Sequence, residues 1–160
     1  MTNINIEEYK KLKQEVEMQY KQINSVYSPA LKTDIIFNAN GLYHLHYDNT
    51  RTERNKSVQF NKLRFFGNAV DVIRAATTIQ EYRRNICPIG KKKNGRFIKT
   101  SLVEWFAFWA IISFVKSIRI RVIIRRVGGN NGQYHFWSVM PFWKLQNKKR
   151  IIGLSDLEDE

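Results

Sequence analysis

The sequence predicts an α+β fold, in which N-terminal helices pack on one small twisted antiparallel sheet of about four or five strands. Apolar residues recur at helical spacing through much of the first half, whereas β-branched and aromatic residues fill the second half. Helices followed by consecutive strands are typical of this class. With 160 residues, of which 43% are hydrophobic, the chain is long enough to bury a core of its own.

Three units are expected along the chain. An amphipathic helix occupies residues 1–30, an α+β domain occupies residues 31–146, and a tail that is first basic and then acidic occupies residues 147–160. The helix begins after Asn5, which caps it, and its apolar residues recur every three or four positions until Ser28-Pro29 ends it.

The middle of the chain contains further elements that precede most of the sheet. Residues 34–37 form a short apolar run with strand character. An Asn-rich turn then leads into residues 42–47, whose pattern fits either a helical turn or the start of a strand. Residues 48–57 are polar and basic, which indicates an exposed loop, and residues 61–76 carry the apolar stripe of a second helix.

The second half is expected to supply the remaining strands. Residues 77–83 are β-branched and alternate, residues 87–96 form a turn-rich basic loop, and residues 97–115 contain one or two strands. Within the last segment, the aromatic run at residues 106–112 is expected to be buried on both faces.

A β-hairpin closes this half, and its first strand is rich in arginine. Residues 117–127 and 133–140 form its two strands, which a Gly- and Asn-rich loop connects. Alternation places Arg119, Arg121 and Arg125 on one face and the intervening Ile and Val residues on the other. Guanidinium groups on a strand face near a core predict a phosphate-binding site.

The register of this hairpin decides which side chain of the second strand joins the arginines. If the loop spans residues 128–132, His135 faces Arg125 and Ser138 lies on the opposite side. If the loop spans residues 129–132, Ser138 joins the arginine face and His135 leaves it. The sequence leaves both registers open.

The chain is strongly basic, with 27 Lys and Arg residues against 14 Asp and Glu residues and a net charge of +13. This charge favours a polyanionic partner, first nucleic acid, then an anionic membrane surface, then an acidic protein. The longest apolar run, residues 105–115, is shorter than the roughly 20 residues of a membrane helix, so no membrane partner is expected. Cys87 is the only cysteine and the N-terminus does not resemble a signal peptide, which predicts a cytoplasmic location.

The residue types present exclude several classes of catalytic site. The Gly-rich loop lacks the Lys-Ser/Thr of a nucleotide-binding loop, and the paired carboxylates of glycosidases and two-metal nucleases are scarce. Ser138 lies within a predicted strand rather than in the nucleophile turn of a hydrolase. No Cys/His set has zinc-ligand spacing, so neither a metal nor another cofactor is expected.

The remaining His, Arg, Lys, Tyr and Ser side chains suit metal-independent cleavage of RNA. In that reaction the 2′-hydroxyl loses a proton, the phosphate charge is stabilised, and the leaving oxygen gains a proton. Histidine transfers protons near neutral pH, and arginine binds phosphate through planar, always charged groups. The histidines of this chain are His44, His46 and His135.

Several segments also occur in an order that resembles one family. They are a Phe-x-x-x-Gly-x-x-His-Leu run at residues 37–45, the helix at 63–73, Glu81-Tyr82-Arg83, the arginine strand at 118–126 and the run at 136–140. Together they resemble the phage-type nucleases of the barnase–EndoU–colicin–RelE superfamily, which are metal-independent ribonucleases that often act as toxins. The resemblance covers about residues 27–143 and implies a helical part followed by a twisted sheet with RNA across its face.

The resemblance implies roles for individual residues. His44 would be the general acid or base, Arg125 a phosphate ligand, and Ser138 would contact the scissile phosphate, which favours the loop at residues 129–132. The predicted substrate-binding residues are Arg64, Arg119, Arg121 and His135.

We therefore expect a toxin-like, metal-independent endoribonuclease that acts on transfer RNA or messenger RNA. The resemblance also implies an acidic antitoxin or immunity protein as its inhibitor. The alternative is a non-catalytic nucleic-acid-binding module of mobile-element origin, which would bind RNA or DNA with a steep salt dependence and leave it uncut.

Overall fold

A computed structural model of the chain describes residues 3–94 and 96–143. The predicted tail at residues 147–160 lies outside the described residues. The helices and strands are α1 (Ile6–Gln22), β1 (Ser25–Ser28), β2 (Thr33–Ile36), α2 (Ala39–His46), α3 (Lys56–Arg64), α4 (Phe66–Ala75), β3 (Glu81–Lys93), β4 (Arg96–Ser113), β5 (Ile118–Val127) and β6 (Tyr134–Trp143), with a 3-10 turn at Gly129–Asn131 between the last two strands.

Asparagine side chains cap three of the helices. Asn5, Asn38 and Asn55 each accept a hydrogen bond from a backbone N–H two or three residues later, at 3.0, 3.2 and 2.9 Å. The cap at Asn38 decides the segment that the sequence left open, which becomes helix α2. Helix α1 ends at Gln22, earlier than expected, because the chain from Ser25 onward pairs with β2 instead.

The helix predicted at residues 61–76 is divided into two. Its first part begins earlier, at Lys56, and the two parts meet at Phe65. Phe65 and Phe66 are both buried, with 3% and 0% of their surfaces exposed. Neighbouring positions of one straight helix point about 100° apart, so a break between them lets both rings reach the core.

The sheet has six strands in the order β1-β2-β6-β5-β4-β3. The α+β class is confirmed. The expected antiparallel sheet of about four or five strands is approximately right but not exact, because β1 was not predicted and because β2 runs parallel to β6, with Ile36 opposite His135. This parallel contact joins β1 and β2 to the strands of the second half.

The basic loop predicted at residues 87–96 is mostly strand. β3 and β4 form a long antiparallel hairpin in which Cys87 lies opposite Ser101 and Pro88 opposite Thr100. Because β3 is an edge strand, Pro88 is tolerated there. Pairing with the apolar β4 therefore outweighs the local turn residues, and β3 itself begins at Glu81 rather than near residue 77.

Residues from all four helices form the main core together with one face of the sheet. A smaller apolar cluster lies on the opposite face and consists of Val103, Trp105, Ala107, Ile123 and Trp137. The segment at residues 106–112 is not buried throughout, since Trp109 and Ile111 are 42% and 46% exposed. Within the described ranges, no helix is long and apolar enough to cross a membrane.

Candidate active site

The β5–β6 hairpin contains a β-bulge that decides which side chains meet. Arg125 lies opposite His135, which is the register expected for the longer of the two possible loops. Further along the hairpin, however, Ile123 lies opposite Ser138, so Trp137 is an extra residue in β6. The bulge therefore brings Ser138 back to the arginine face that His135 already occupies.

The two registers considered from sequence are thus each correct on one side of the bulge. His135 and Ser138 share the face of Arg125, and they are 7% and 0% exposed. A regular hairpin would place only one of them there, because side chains alternate along a strand. Bulges that redirect side chains in this way are frequent next to active sites.

Trp137, the extra residue, packs against the two groups that phosphate chemistry would use. The imidazole of His44 stacks on its indole with ring centroids 4.0 Å apart and an interplanar angle of 22°. The guanidinium carbon of Arg125 lies 4.3 Å from the Trp137 ring centroid, a cation–π distance. The indole therefore fixes the position of a histidine from α2 relative to an arginine from β5.

Helix α2 reaches the sheet because Gly41 has no side chain. A Cβ atom at this position would overlap the Tyr20 hydroxyl and lie 2.5 Å from the backbone oxygen of Phe136. The close approach places His44, one helical turn later, against the bulge with only 2% of its surface exposed. This close contact explains why the Phe-x-x-x-Gly-x-x-His-Leu run has a glycine at position 41.

Arg54, from the loop before α3, holds His44 at two points. Its Nε donates to the His44 backbone oxygen at 3.1 Å, and its Nη2 lies 3.1 Å from His44 Nε2. A guanidinium group only donates hydrogen bonds, so Nε2 accepts this one and carries no proton in this arrangement.

Lys62, from α3, reaches the other side of the bulge. Its Nζ donates to Ser138 Oγ at 2.6 Å, and the two residues are 1% and 0% exposed. Because the hydroxyl of Ser138 accepts from an ammonium group, its own proton is available for a different acceptor. Lys62 therefore orients Ser138 as a hydrogen-bond donor.

The charge state of His135 follows from its surroundings. Burial lowers its pKa to about 4, and the positive charge of Arg125 acts in the same direction, whereas the backbone of Gln133 partly opposes the shift. His135 is therefore neutral at pH 7. Burial also lowers the pKa of the Arg125 guanidinium, which stays charged because arginine is not deprotonated in proteins.

Three buried polar atoms at this place make no hydrogen bond with the described part of the chain. They are Arg125 Nε, His135 Nε2 and Trp137 Nε1. A buried polar atom without a partner costs about 1–3 kcal/mol. Each such atom in a native structure calls for an explanation, such as a catalytic role or a bound water or ion.

We call this group the bulge site. It consists of His44, Arg54, Lys62, Arg125, His135, Trp137 and Ser138. Sequence analysis predicted four of these residues, and missed Arg54, Lys62 and Trp137. Lys62 lay outside the apolar stripe of a predicted helix, and Arg54 lay in a predicted basic loop. Side chains at such positions are usually solvated, so no local pattern distinguished these two residues.

The other predicted arginines lie away from the bulge site. Arg64 is exposed on α3. Arg119 precedes Arg125 by six strand positions, which corresponds to about 20 Å. Arg121 is only 2% exposed and forms an ion pair with Glu81 at 3.4 Å, so RNA would reach it only if this pair opened.

The third histidine, His46, links its own helix, α2, to α3 and to α1. His46 Nδ1 lies 2.8 Å from Gln59 Oε1, and its Nε2 lies 3.6 Å from Glu17 Oε1. In the segments that the structure describes, no group of three or more His, Cys, Asp or Glu side chains could hold a metal ion.

Comparisons of the chain with protein-family models, with curated proteins and with solved structures found no match.

Proposed function

We propose that this chain is a metal-independent endoribonuclease whose active centre is the bulge site. The observation that supports the proposal is the convergence of His44, His135, Arg125 and the Lys62–Ser138 pair on one bulge. Metal-independent cleavage of RNA needs proton-transfer groups together with fixed donors for the phosphate oxygens, and these residue types supply both.

Arg125 and Ser138 are the proposed phosphate ligands. Arg125 has an unpartnered Nε within the described part of the chain, and a guanidinium group binds phosphate oxygens in a planar, bidentate way. The hydroxyl of Ser138, oriented by Lys62, would donate its proton to a phosphate oxygen. Both would stabilise the additional negative charge that develops as the 2′-oxygen attacks phosphorus.

The two histidines are proposed to share the proton transfers. His135 is neutral at pH 7 because its pKa is about 4, so it accepts a proton rather than donates one. Arg54 occupies His44 Nε2, and when Arg54 turns towards the substrate phosphate this nitrogen becomes free to transfer a proton. The O2′–P bond forms as the 2′-hydroxyl proton passes to His135. The P–O5′ bond breaks as His44, which binds a proton at Nε2 once Arg54 has turned away, gives that proton to O5′, and a 2′,3′-cyclic phosphate remains.

The proposed biological role is that of a toxin-like nuclease in the cytoplasm, acting on transfer RNA or messenger RNA. The resemblance to the phage-type nucleases of the barnase–EndoU–colicin–RelE superfamily supports this role. So does the charge of the chain, because residues 105–155 contain no Asp or Glu. An acidic antitoxin or immunity protein would complement such a basic surface as an inhibitor.

Incubation of the purified protein with total RNA in EDTA tests the proposal. We expect discrete fragments with 2′,3′-cyclic phosphate ends, and a decrease in rate of about 10²-fold or more in His44→Ala, since general acid–base catalysis contributes that much. Arg74→Ala, a change of an exposed arginine on α4, serves as the matched control and should cleave at the parental rate. Intact RNA after incubation with the wild-type protein would refute the proposal.

One observation favours the second candidate, a nucleic-acid-binding module without catalysis. His44, Lys62 and Ser138 are at most 2% exposed, so in this conformation a scissile phosphate does not reach them. A binding module would retain RNA on a filter at low salt and release it at high salt, and would leave it uncut.

A further inference from the structure

Tyr43 and Tyr47 form an exposed aromatic stack next to the bulge site. Their ring centroids lie 4.4 Å apart with an interplanar angle of 13°. Tyr43 is 44% exposed, although it directly precedes the buried His44. Within the described ranges, no other ring or cation packs on Tyr43. Tyr47 therefore supports the Tyr43 ring, and much of that ring remains open to solvent.

The stack does not contribute to the core. The buried residues of α2 are Gly41, His44, Leu45 and His46. Tyr43 and Tyr47 are four positions apart, so they are neighbours on one helix face. An exposed tyrosine, here Tyr43 backed by the partly buried Tyr47, on a basic protein is typical of surfaces that stack nucleobases.

The turn that follows Tyr47 is rigid and ends in an exposed arginine. Asp48 Oδ1 accepts hydrogen bonds from the Thr50 N–H at 2.9 Å, the Thr50 hydroxyl at 2.7 Å and the Thr52 N–H at 2.9 Å. Between these residues, Arg51 has a φ of 65°. Left-handed backbone is costly for a residue with a side chain and is concentrated at functional sites. The turn therefore fixes the backbone of Arg51, whose side chain is exposed.

We propose that Tyr43, Tyr47 and Arg51 form a nucleobase-binding subsite that selects unpaired RNA. An unpaired base stacks on the open face of Tyr43, and Arg51 binds a neighbouring phosphate. In a duplex each base is already stacked between its neighbours, so only loops, bulges and ends can present a base to this ring. The inference rests on the proposed function, because it assumes that the polyanion bound at the bulge site is RNA.

Binding to RNA that cannot be cleaved tests the subsite without the need for catalysis. The probes are an RNA hairpin with a 2′-O-methyl loop and a blunt duplex of the same stem sequence. We expect Tyr43→Ala to weaken binding of the hairpin about tenfold, which is within the range for loss of one stacked base, and to leave binding of the duplex unchanged. Tyr43→Phe keeps the ring and should bind like the wild type.

Tyr27→Ala provides the matched control, because Tyr27 is an exposed tyrosine (56%) on the edge strand β1, and its affinity for both probes should be unchanged. Arg51→Ala should lower affinity for the hairpin and reduce the slope of log affinity against log salt by about 0.7. The subsite is refuted if Tyr43→Ala binds the hairpin within twofold of the wild type, or if it loses hairpin and duplex equally.

A failure of the nuclease proposal would be visible separately, in the cleavage of unmodified RNA. If Tyr43→Ala weakens binding of the hairpin but the wild-type protein leaves unmodified RNA intact, the subsite is supported and the nuclease proposal is refuted. If the wild-type protein cleaves unmodified RNA but Tyr43→Ala binds the hairpin as well as the wild type does, the nuclease proposal is supported and the subsite is refuted. Circular dichroism of Tyr43→Ala and Tyr43→Phe checks that both variants keep the fold.

Discussion

At the scale of single residues, the fold controls the charge of His135. It lies opposite Arg125 in the hairpin, is 7% exposed, and its pKa falls from 6.5 to about 4. In the unfolded chain the same imidazole takes up a proton near its ordinary pKa of about 6.5. Folding therefore keeps this histidine in its neutral form, which the proposed proton transfer needs, and it does so at the expense of stability in acid.

The pH dependence of stability should reveal this shift. Below pH 6.5 His135 is protonated in the unfolded state, whereas in the folded state it becomes protonated only near pH 4. The unfolded state therefore binds more protons in this interval, and the free energy of unfolding falls as the pH falls. Between pH 7 and pH 4.5 we expect His135 to account for a loss of about 2–3 kcal/mol. Urea unfolding at the two pH values measures it.

His135→Asn is the comparison that isolates this contribution, because the other groups that titrate remain in both proteins. Between pH 7 and pH 4.5 the free energy of unfolding of the variant should fall by less than that of the wild type, and the difference should be about 2–3 kcal/mol. Equal losses in the two proteins would mean that His135 does not carry the effect.

At the scale of the elements, the contact between α2 and β6 positions the proposed proton-transfer residue. Gly41 allows this contact, since a Cβ there would meet the Tyr20 hydroxyl and the Phe136 backbone oxygen. His44 lies on the same short helix and stacks on the bulge residue Trp137. A displacement of α2 would therefore separate the imidazole from Arg125 and Ser138.

Gly41→Ala tests this dependence. Alanine favours a helix by about 1 kcal/mol over glycine, but the overlap with a backbone atom should cost about 1–3 kcal/mol and move the helix. We expect a lower melting temperature and a cleavage rate that falls by more than the loss of folded protein explains. Thermal unfolding and RNA cleavage below the transition provide the two measurements.

Gly67→Ala on α4 provides the control, because the nearest atom to a Cβ there is Gln19 Nε2 at 4.0 Å. This change should stabilise the protein by up to about 1 kcal/mol and leave cleavage unchanged. If Gly41→Ala behaves in the same way as Gly67→Ala, the close approach of α2 does not matter.

For the whole molecule, the distribution of charge would determine how it meets the proposed RNA substrate. The net charge is +13, and residues 105–155, which include β5 and β6, contain no acidic residue. The described acidic partners of β5 come from β3 and β4, where Glu81 pairs with Arg121 on the face of Arg125 and Glu104 pairs with Arg126 on the opposite face. Arg125 lies between these two pairs along β5, and no carboxylate pairs with it in the described part of the chain.

Affinity for RNA should therefore depend steeply on salt. With three phosphates neutralised, the slope of log affinity against log salt would be about −2, and affinity would fall roughly 20-fold between 50 and 200 mM salt. Fluorescence anisotropy with a labelled, 2′-O-methylated RNA measures this slope. A slope near zero would contradict both the nuclease and the binding module.

The local properties of this chain could be predicted from its sequence. The spacing of apolar residues and the Asn5 cap gave α1, and alternation placed three of the four arginines of β5 on one face. The residue types, together with the resemblance to the nuclease superfamily, predicted His44, Arg125, His135 and Ser138 as site residues. These features depend on residues close in sequence, whose periodicity fixes the direction of each side chain.

The tertiary structure decided which of these groups meet. Pairing with β4 turned a basic loop into strand β3, and packing of α2 and α3 against β6 brought Lys62 and Arg54 to the site. Whether His135 or Ser138 faces Arg125 depended on one extra residue, Trp137, which no periodicity predicts. The bulge belongs to the packing of the indole against His44 and Arg125, groups contributed by separate elements of the fold, so only the folded chain determines it.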